Sequence, residues 1–308
     1  MIQIERDPTP AELDPNKPNS LGQRELNRLE SKLANGEVLT SDDFRAYGHD
    51  NVRAALRDMF NGKCAYCERL ASGGEDGDIE HYRPKKGVSE ADDVGVVHEG
   101  YWWLAMDWLN LVLSCKHCNQ WRSKQVEIPD DVITIEQLEA FFLNDPRATG
   151  SGKQNSFPTQ DNVWVTTRGD VSPEKPLILD PSNATIDPED HLDWVIFEGA
   201  STVRPKNGSE AGEATRKILG LNRRWLEEER RAKIALMQMQ RNRIIERMQK
   251  WLDTDDPGRK ADLADDIDDR IEDLWVFTNP NQPFIGLARA FIRKLQIEVA
   301  ELQDATPD

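Results

Sequence analysis

The chain has 308 residues and a formal net charge of -17, with 31% charged and 38% hydrophobic residues. This length is enough for two modest domains, and this composition is typical of a soluble globular protein with long, solvated helices. No apolar run approaches the roughly 20 residues of a membrane span, and the polar N-terminus has no stretch of signal-peptide type. We therefore expect a cytoplasmic protein.

The spacing of apolar residues predicts helices over much of the chain. The predicted helices are 21–33, 41–60, a shorter one after residue 128, 210–252 with a break near Gly220-Leu221-Asn222, and 284–302. The second of them carries apolar residues at the intervals of a buried helical stripe, namely Val52, Ala55, Leu56, Met59 and Phe60. The pair Asn61-Gly62 then ends this helix and turns the chain.

Other segments are predicted to be irregular or extended. Residues 1–18 are rich in proline and predict an extended arm, and residues 72–77 predict a Gly- and acid-rich loop. The sequence GSGKQNS at 150–156 predicts a flexible connection, and short strands are expected at 163–165 and 177–179.

Charge is distributed unevenly near the C-terminus. Residues 212–252 are strongly basic, whereas residues 253–273 are strongly acidic and are either a helix or a mobile linker. The basic helices are either the main interaction surface or ordinary solvated helices with an apolar core face, and we favour the second interpretation. That core face comprises Ile218, Leu219, Leu221, Trp225, Ile234, Leu236 and Met237.

The four cysteines form two Cys-x-x-Cys pairs, Cys64/Cys67 and Cys115/Cys118. Disulfides are not expected in a cytosolic chain, so metal binding is the better interpretation. Two such pairs supply the four soft ligands that a tetrahedral Zn²⁺ prefers. The alternative is four buried cysteines without a metal.

Between the two cysteine pairs lies the strip D-I-E-H-Y-R-P-K, which contains Glu80 and His81. The Glu80 carboxylate is a hard oxygen ligand suited to Mg²⁺ or Mn²⁺. A neutral His81 imidazole can take a proton from water near neutral pH. Adjacent residues of a strand point to opposite sides, so both serve one centre only if the backbone bends or the metal lies at the strand's end. The alternative is an ordinary surface pair.

Two asparagines flank the second cysteine pair. Asn119 directly follows Cys118, so its amide oxygen is held firmly and suits a metal ligand, and Asn110 is placed to hydrogen-bond and orient His81. The alternatives are a strand-end turn for Asn110 and a helix N-cap for Asn119. Four nearby cations are candidates for holding backbone phosphates, or are ordinary surface cations: Lys85, Lys86, Arg122 and Lys124.

Taken together, C-x-x-C, E-H-Y-R-P-K and N-L-x-L-S-C-x-x-C-N-x-x-x-x-K resemble the HNH nuclease superfamily. More narrowly, the stretches Y-W-W-L-A-x-x-W-x-N-L, P-L-I-L-D-P and I-L-G-L-N-R-R-W-L resemble the PtuB-type HNH subunit of Septu anti-phage defence systems. The resemblance covers residues 1 to about 231. Many HNH proteins have Asp at the position of Glu80, which puts direct metal ligation by Glu80 in question.

The resemblance implies an α+β, mostly helical chain that contains a ββα-metal core with a four-cysteine zinc staple. It implies His81, Asn110, Glu80 and Asn119 as the catalytic set, with Mg²⁺ or Mn²⁺ on Glu80 and Asn119. It also implies an ABC/SMC-like ATPase subunit (PtuA-type) as a partner. That partner would supply part of the affinity for nucleic acid that an acidic chain lacks.

We expect four regions in the chain. They are an N-terminal arm with helices (1–60), the nuclease core (61–126), a mixed α/β connection (127–206) and a helical region (207–308). The expected substrate is DNA, although a base-activated water attacks an RNA phosphodiester equally well. The competing function is a zinc-stabilised module that binds nucleic acid or protein and never cuts.

Overall fold

The computed structural model describes residues 1–71 and 77–304. The predicted loop at 72–77 lies almost entirely outside the described residues. As expected, the chain is α+β and mostly helical. The helices are α1 (Leu21–Ala34), α2 (Asp50–Met59), α3 (Ser89–Asp93), α4 (Lys116–Asn119), α5 (Ile135–Leu143), α6 (Glu210–Leu219), α7 (Arg224–Leu252), α8 (Pro257–Leu274) and α9 (Ile285–Asp304). The strands are β1 (Gly77–His81), β2 (Leu111–Cys115), β3 (Leu192–Phe197) and β4 (Ala200–Pro205).

The chain folds into two compact units whose sequences are interleaved. The first comprises Met1–Gln125, Ala148–Leu192 and Pro205–Leu221, and the second comprises Val126–Arg147, Asp193–Arg204 and Asn222–Asp308. All of the candidate site residues lie in the first unit. No helix in the described part of the chain is both long and apolar enough to cross a membrane.

The helix predicted at 41–60 is shorter than expected. Only Asp50–Met59 is α-helical, and two short 3-10 turns precede it. Its predicted apolar stripe is confirmed at Val52, Leu56, Met59 and Phe60, which are buried, whereas Ala55 is half-buried. The helix ends as expected at Asn61-Gly62, where both residues have positive φ and the Gly62 N–H donates to the Arg57 carbonyl over 2.8 Å.

Strands β1 and β2 pair antiparallel, and α4 follows β2 directly. The register sets His81 opposite Leu111, Glu80 opposite Val112 and Asp78 opposite Ser114. Because side chains alternate across a strand, Asp78 and Glu80 share one face of the hairpin and His81 lies on the other. Every residue of β2 is buried, so the hairpin is an internal element of this unit.

The segment 150–156 is not the flexible connection that its composition predicts. The Gly152 N–H donates to the Ile218 carbonyl (2.8 Å), the Lys153 N–H to the Cys118 carbonyl (2.7 Å) and the Gln154 N–H to the Asn119 carbonyl (2.6 Å). These bonds attach the segment to α4 and to α6. The glycines therefore permit close backbone approach here rather than mobility.

Gly152 is the residue of this segment least tolerant of a side chain. Its φ is +126°, and a Cβ would lie 2.0 Å from the Gln120 carbonyl oxygen. We expect Gly152→Ala to lower the free energy of unfolding by about 1–3 kcal/mol, the cost typical of a strained backbone position. Thermal unfolding would measure the loss. Gly169→Ala is the matched control, because its nearest neighbour would be 3.8 Å away, and an equal loss in both variants would contradict this account.

The strands predicted at 163–165 and 177–179 are not formed. Trp164 and Ile178 instead contribute single side chains to a core cluster with Tyr82, Tyr101 and Phe157. Short apolar runs do not distinguish a strand from a buried loop, and here the loop forms. The strands that do form, β3 and β4, are joined by Glu198 and Gly199, which both have positive φ and make a two-residue hairpin turn.

The second unit contains α5, the β3–β4 hairpin and the long helices α7, α8 and α9. The predicted break near 220–222 is confirmed, since α6 ends at Leu219, Gly220 follows in the left-handed conformation, and α7 begins at Arg224. The acidic stretch is helical as α8, and Asp266 pairs with Arg247 of α7 at 2.8 Å. Acidic and basic segments thus neutralise one another locally.

The predicted apolar face of the basic helices is confirmed in part. Ile234 and Met237 are fully buried, whereas Trp225 is 72% exposed and Leu236 is 55% exposed. The prediction that Trp225 and Leu236 belong to the core face is wrong. Both lie on the outer side of α7, where Ala232 and Met239 are also exposed.

Candidate metal centre and active site

The four cysteines converge into one buried cluster, as predicted, and are positioned to bind a metal ion. Their Sγ atoms all lie within 4.8 Å of one another, and this is the one such group among the residues that the structure describes. The Sγ atoms of Cys67 and Cys115 are 3.8 Å apart. Zinc–sulfur bonds of about 2.3 Å place the corners of a tetrahedron about 3.8 Å apart, so the cluster has the right size for Zn²⁺.

The local backbone explains why the cluster forms. The first cysteine pair lies in a tight turn in which the Cys64 N–H donates to the Arg69 carbonyl (2.9 Å) and the Ala65 N–H donates to the Leu113 carbonyl (2.8 Å). The second pair lies where β2 passes into α4. Burial raises the pKa of the Cys64 thiol, so a cation is needed to stabilise thiolates here. A metal ion held by all four thiolates would therefore link the turn of the first pair to the β2–α4 junction.

His81 lies at the end of β1 and is only 4% exposed. Its Nε2 is 3.0 Å from the Ala105 carbonyl oxygen. A carbonyl can only accept a hydrogen bond, so Nε2 carries the proton and Nδ1 is the basic nitrogen. Burial lowers the pKa of His81 well below its usual value, and the charge of Lys85 acts in the same direction. The imidazole is therefore neutral near pH 7, as a general base requires.

Two side chains cover the basic face of His81. The Tyr47 ring meets the imidazole edge-on at a centroid distance of 4.5 Å. The Lys85 Nζ lies 3.4 Å from His81 Nδ1, donates to the Tyr47 hydroxyl over 3.1 Å and stands 4.5 Å from the Tyr47 ring centroid. Lys85 is therefore at the candidate site, next to the atom that would accept a proton.

Glu80 is paired with a lysine that the sequence analysis did not single out. The Lys153 Nζ lies 2.9 Å from Glu80 Oε1 and donates to the His81 carbonyl over 2.9 Å. Both side chains are buried, at 0% exposure for Lys153 and 8% for Glu80. Burial raises the pKa of the Glu80 carboxyl, and the Lys153 ammonium opposes that rise.

Asn110 does not orient the His81 ring by a hydrogen bond to it. Its Oδ1 accepts from the Arg83 N–H (2.7 Å), and its Nδ2 donates to the carbonyls of Arg83 (3.0 Å) and Leu104 (3.1 Å). The side chain thus ties the turn after His81 to the segment that carries the Ala105 carbonyl. Both Nδ2 hydrogens and Oδ1 already have main-chain partners, so an effect of Asn110 on His81 would be through the backbone.

Asn119 lies next to Asp78 rather than in contact with Glu80. Its Nδ2 donates to Asp78 Oδ2 over 3.2 Å. Asp78 and Glu80 occupy the same face of β1, two residues apart. The oxygen donors of Asp78, Glu80 and Asn119 are thus presented on one side of the hairpin, where α4 lies.

The other three predicted phosphate-binding cations have partners away from His81 or are exposed. Lys86 donates to the Ser41 hydroxyl over 3.2 Å. The Arg122 N–H donates to the Ser151 carbonyl (2.9 Å), so Arg122 lies beside the docked segment 150–156. Lys124 is exposed. Of these four cations, Lys85 is the one that contacts a proposed catalytic side chain within the described residues.

Comparison with known proteins gives a relative that aligns along nearly the whole chain. The chain is 29% identical to the Septu protein PtuB of Bacillus mycoides over 315 aligned positions, which cover 98% of the chain and 93% of the relative. The chain is a relative of the Septu protein PtuB. A PtuB of Bacillus thuringiensis is 32% identical over 106 positions, about a third of each chain (34% of both). No family model matches, and no solved structure matches.

In this PtuB relative, three features of the site are not predicted from the sequence. Lys153 reaches Glu80 across more than 70 positions of sequence, so no local pattern indicates the pair. Nothing in the sequence around Tyr47 indicates that its ring contacts His81. Arg83 is held by Glu174, whose Oε2 accepts from Arg83 Nε over 2.8 Å, while Glu174 Oε1 accepts from the Tyr101 hydroxyl over 2.6 Å.

Proposed function

We propose that the chain is a metal-dependent HNH endonuclease with its ββα-metal core in residues 61–126. The observation that carries the proposal is His81, a neutral imidazole whose Nε2–H is fixed by the Ala105 carbonyl and whose Nδ1 is the basic nitrogen. A zinc-sized cluster of four cysteines anchors the hairpin and α4 beside it. The similarity to PtuB along nearly the whole chain supports the same assignment.

In this proposal His81 is the general base. Its Nδ1 takes a proton from a water molecule, the water oxygen bonds to the scissile phosphorus, and the P–O3′ bond breaks as the 3′-oxygen leaves. Asn110 keeps the turn after His81 in place. Lys85 Nζ lies 3.4 Å from Nδ1, and once displaced from that nitrogen its charge would hold the phosphate.

Glu80 and Asn119 are the proposed ligands of a divalent ion. Glu80 lies on the face of β1 opposite the His81 side chain, so the proposal requires the ion and the scissile phosphate to lie at the end of β1, where His81 is the last residue. Their oxygens are of the hard type that Mg²⁺ or Mn²⁺ prefers, and such ions commonly use one or two protein ligands plus substrate phosphate. When bound, the ion would stabilise negative charge on the phosphate and the leaving oxygen.

The proposed setting is anti-phage defence in the cytoplasm, because the relative aligned over nearly the whole chain is a Septu protein. The partner implied by the resemblance is an ABC/SMC-like ATPase of PtuA type. Because the net charge of -17 opposes binding to phosphates, it supports a partner that supplies part of the affinity for nucleic acid. DNA is the favoured substrate and RNA the alternative.

A second candidate function is a zinc-stabilised binding module that does not cut. One observation favours it: Glu80 and His81 are only 6% and 4% exposed, and Glu80 is already paired with Lys153. A nuclease must expose His81 Nδ1 to water and phosphate, which requires Tyr47 and Lys85 to move.

The purified chain, incubated with supercoiled plasmid and separately with tRNA, tests the proposal. We expect cleavage of the plasmid with Mg²⁺ or Mn²⁺ and none with EDTA. The same assay is repeated with the PtuA-type ATPase present. Cleavage of tRNA alone would assign an RNase. No cleavage of either substrate, with or without the ATPase, would favour the binding module.

A further inference from the structure

Lys153 is held in place from two directions. Its backbone N–H bonds to the Cys118 carbonyl at 2.7 Å, so its position is tied to the zinc knuckle that carries Asn119. Its ammonium reaches Glu80 Oε1 and the His81 carbonyl, each at 2.9 Å. A single buried cation therefore contacts both residues of the E-H pair.

The ammonium occupies the kind of environment in which a metal ion binds. It is surrounded by a carboxylate oxygen and a backbone carbonyl oxygen, it is 0% exposed, and Asp78 adds further negative charge nearby. A buried carboxylate needs a partner of opposite charge, and Lys153 provides it without any ion from solution.

A divalent ion that binds Glu80 must therefore displace the ammonium or bind beside it. Displacement leaves a lysine charge buried without its carboxylate, and binding alongside brings a double positive charge within a few ångströms of a single one. Either outcome weakens metal binding, because charge repulsion is strong at short range in a buried site.

We propose that Lys153 is the resident cation of the Glu80–His81 site and competes with divalent metal for Glu80. The inference rests on the proposed function for its biological meaning, but the contacts that carry it are independent of nuclease activity. Lys153 is a positioning residue that holds Glu80 and the end of β1 in place. By competing for Glu80, it lowers the affinity of the site for a divalent ion.

Mn²⁺ binding to the full-length, zinc-loaded chain without nucleic acid tests this, with bound and free Mn²⁺ separated by electron paramagnetic resonance. Lys153→Met keeps most of the length of the side chain and removes its charge. We expect it to bind Mn²⁺ at least about tenfold more tightly than the wild type. Lys153→Arg retains the charge and should bind like the wild type. Glu80→Gln/Lys153→Met should lose the gain, and Lys175→Met, at an exposed lysine, should change nothing.

Zinc content and thermal unfolding identify variants that have failed to fold. Lys153→Gln is the second neutral variant, because its amide can still donate to Glu80, and it should show the same gain. Unchanged or weaker Mn²⁺ binding in a folded neutral variant would overturn the proposal. Plasmid cleavage is scored separately, so an inactive chain with tighter Mn²⁺ binding contradicts the nuclease but not the role of Lys153.

Discussion

Replacing Cys115 with serine is expected to remove zinc and unfold the first unit. Cys115 is the last residue of β2 and is 0% exposed, so its loss affects the metal centre and the hairpin together. Structural zinc contributes on the order of 10–16 kcal/mol in small zinc domains, which is comparable to the whole stability of most folded domains, about 5–15 kcal/mol. Losing one of four ligands is therefore expected to be severe.

Zinc content by mass spectrometry and thermal unfolding measure this effect. The expected result is a fall from one zinc per chain to none, with loss of the cooperative transition of this unit. Val112→Ala, in the same strand and also 0% exposed, is the matched control: it creates a cavity but should keep its zinc. A Cys115→Ser protein that remains stable after losing zinc would show that hydrophobic packing alone maintains the hairpin.

His81→Ala is expected to reduce the rate of cleavage by about 10²–10⁴-fold, the usual contribution of a general base. Because Asn110 and Lys153 bond to the backbone around position 81 rather than to the ring, the turn should persist and zinc should be retained. Cleavage kinetics with saturating metal, measured beside zinc content, separate lost chemistry from lost folding.

His98→Ala is the matched control for this variant. His98 is also a buried histidine, 3% exposed, with a pKa lowered by burial, but it packs against Tyr101 at 4.5 Å in the aromatic core. It should lose stability yet cleave at the wild-type rate per folded molecule. Equal rates in His81→Ala and wild type would exclude His81 as the base.

The features best predicted from sequence are those fixed by local patterns. The cysteine pairs, the stripe on α2 and the break at Gly220 each depend on residues close together in the chain, and the structure confirms all three. The catalytic residues stay a prediction, although His81 has the hydrogen bond and the neutral form that the role requires.

The features missed depend on contacts between distant segments. GSGKQNS has the composition of a mobile linker, but its backbone N–H groups find carbonyl partners on α4 and α6, and no local rule anticipates those partners. The amide of Asn110 was expected at the His81 ring, but main-chain groups on both sides saturate it. The turn at Glu198-Gly199 lies outside the short strands chosen from sequence, so the β3–β4 hairpin was overlooked.

The hairpin at the candidate site also has a consequence for how the chain folds. Strands β1 and β2 are separated by residues 82–110, so none of their cross-strand bonds can form until that long segment has closed. Non-local pairing of this kind is slow, because chain entropy is lost before the contacts that offset it are gained. An ion bound by both Cys-x-x-Cys pairs would hold the ends of the two strands together and offset part of that entropy cost. In a freshly synthesised chain, the supply of zinc would then affect the rate of folding as well as the final stability.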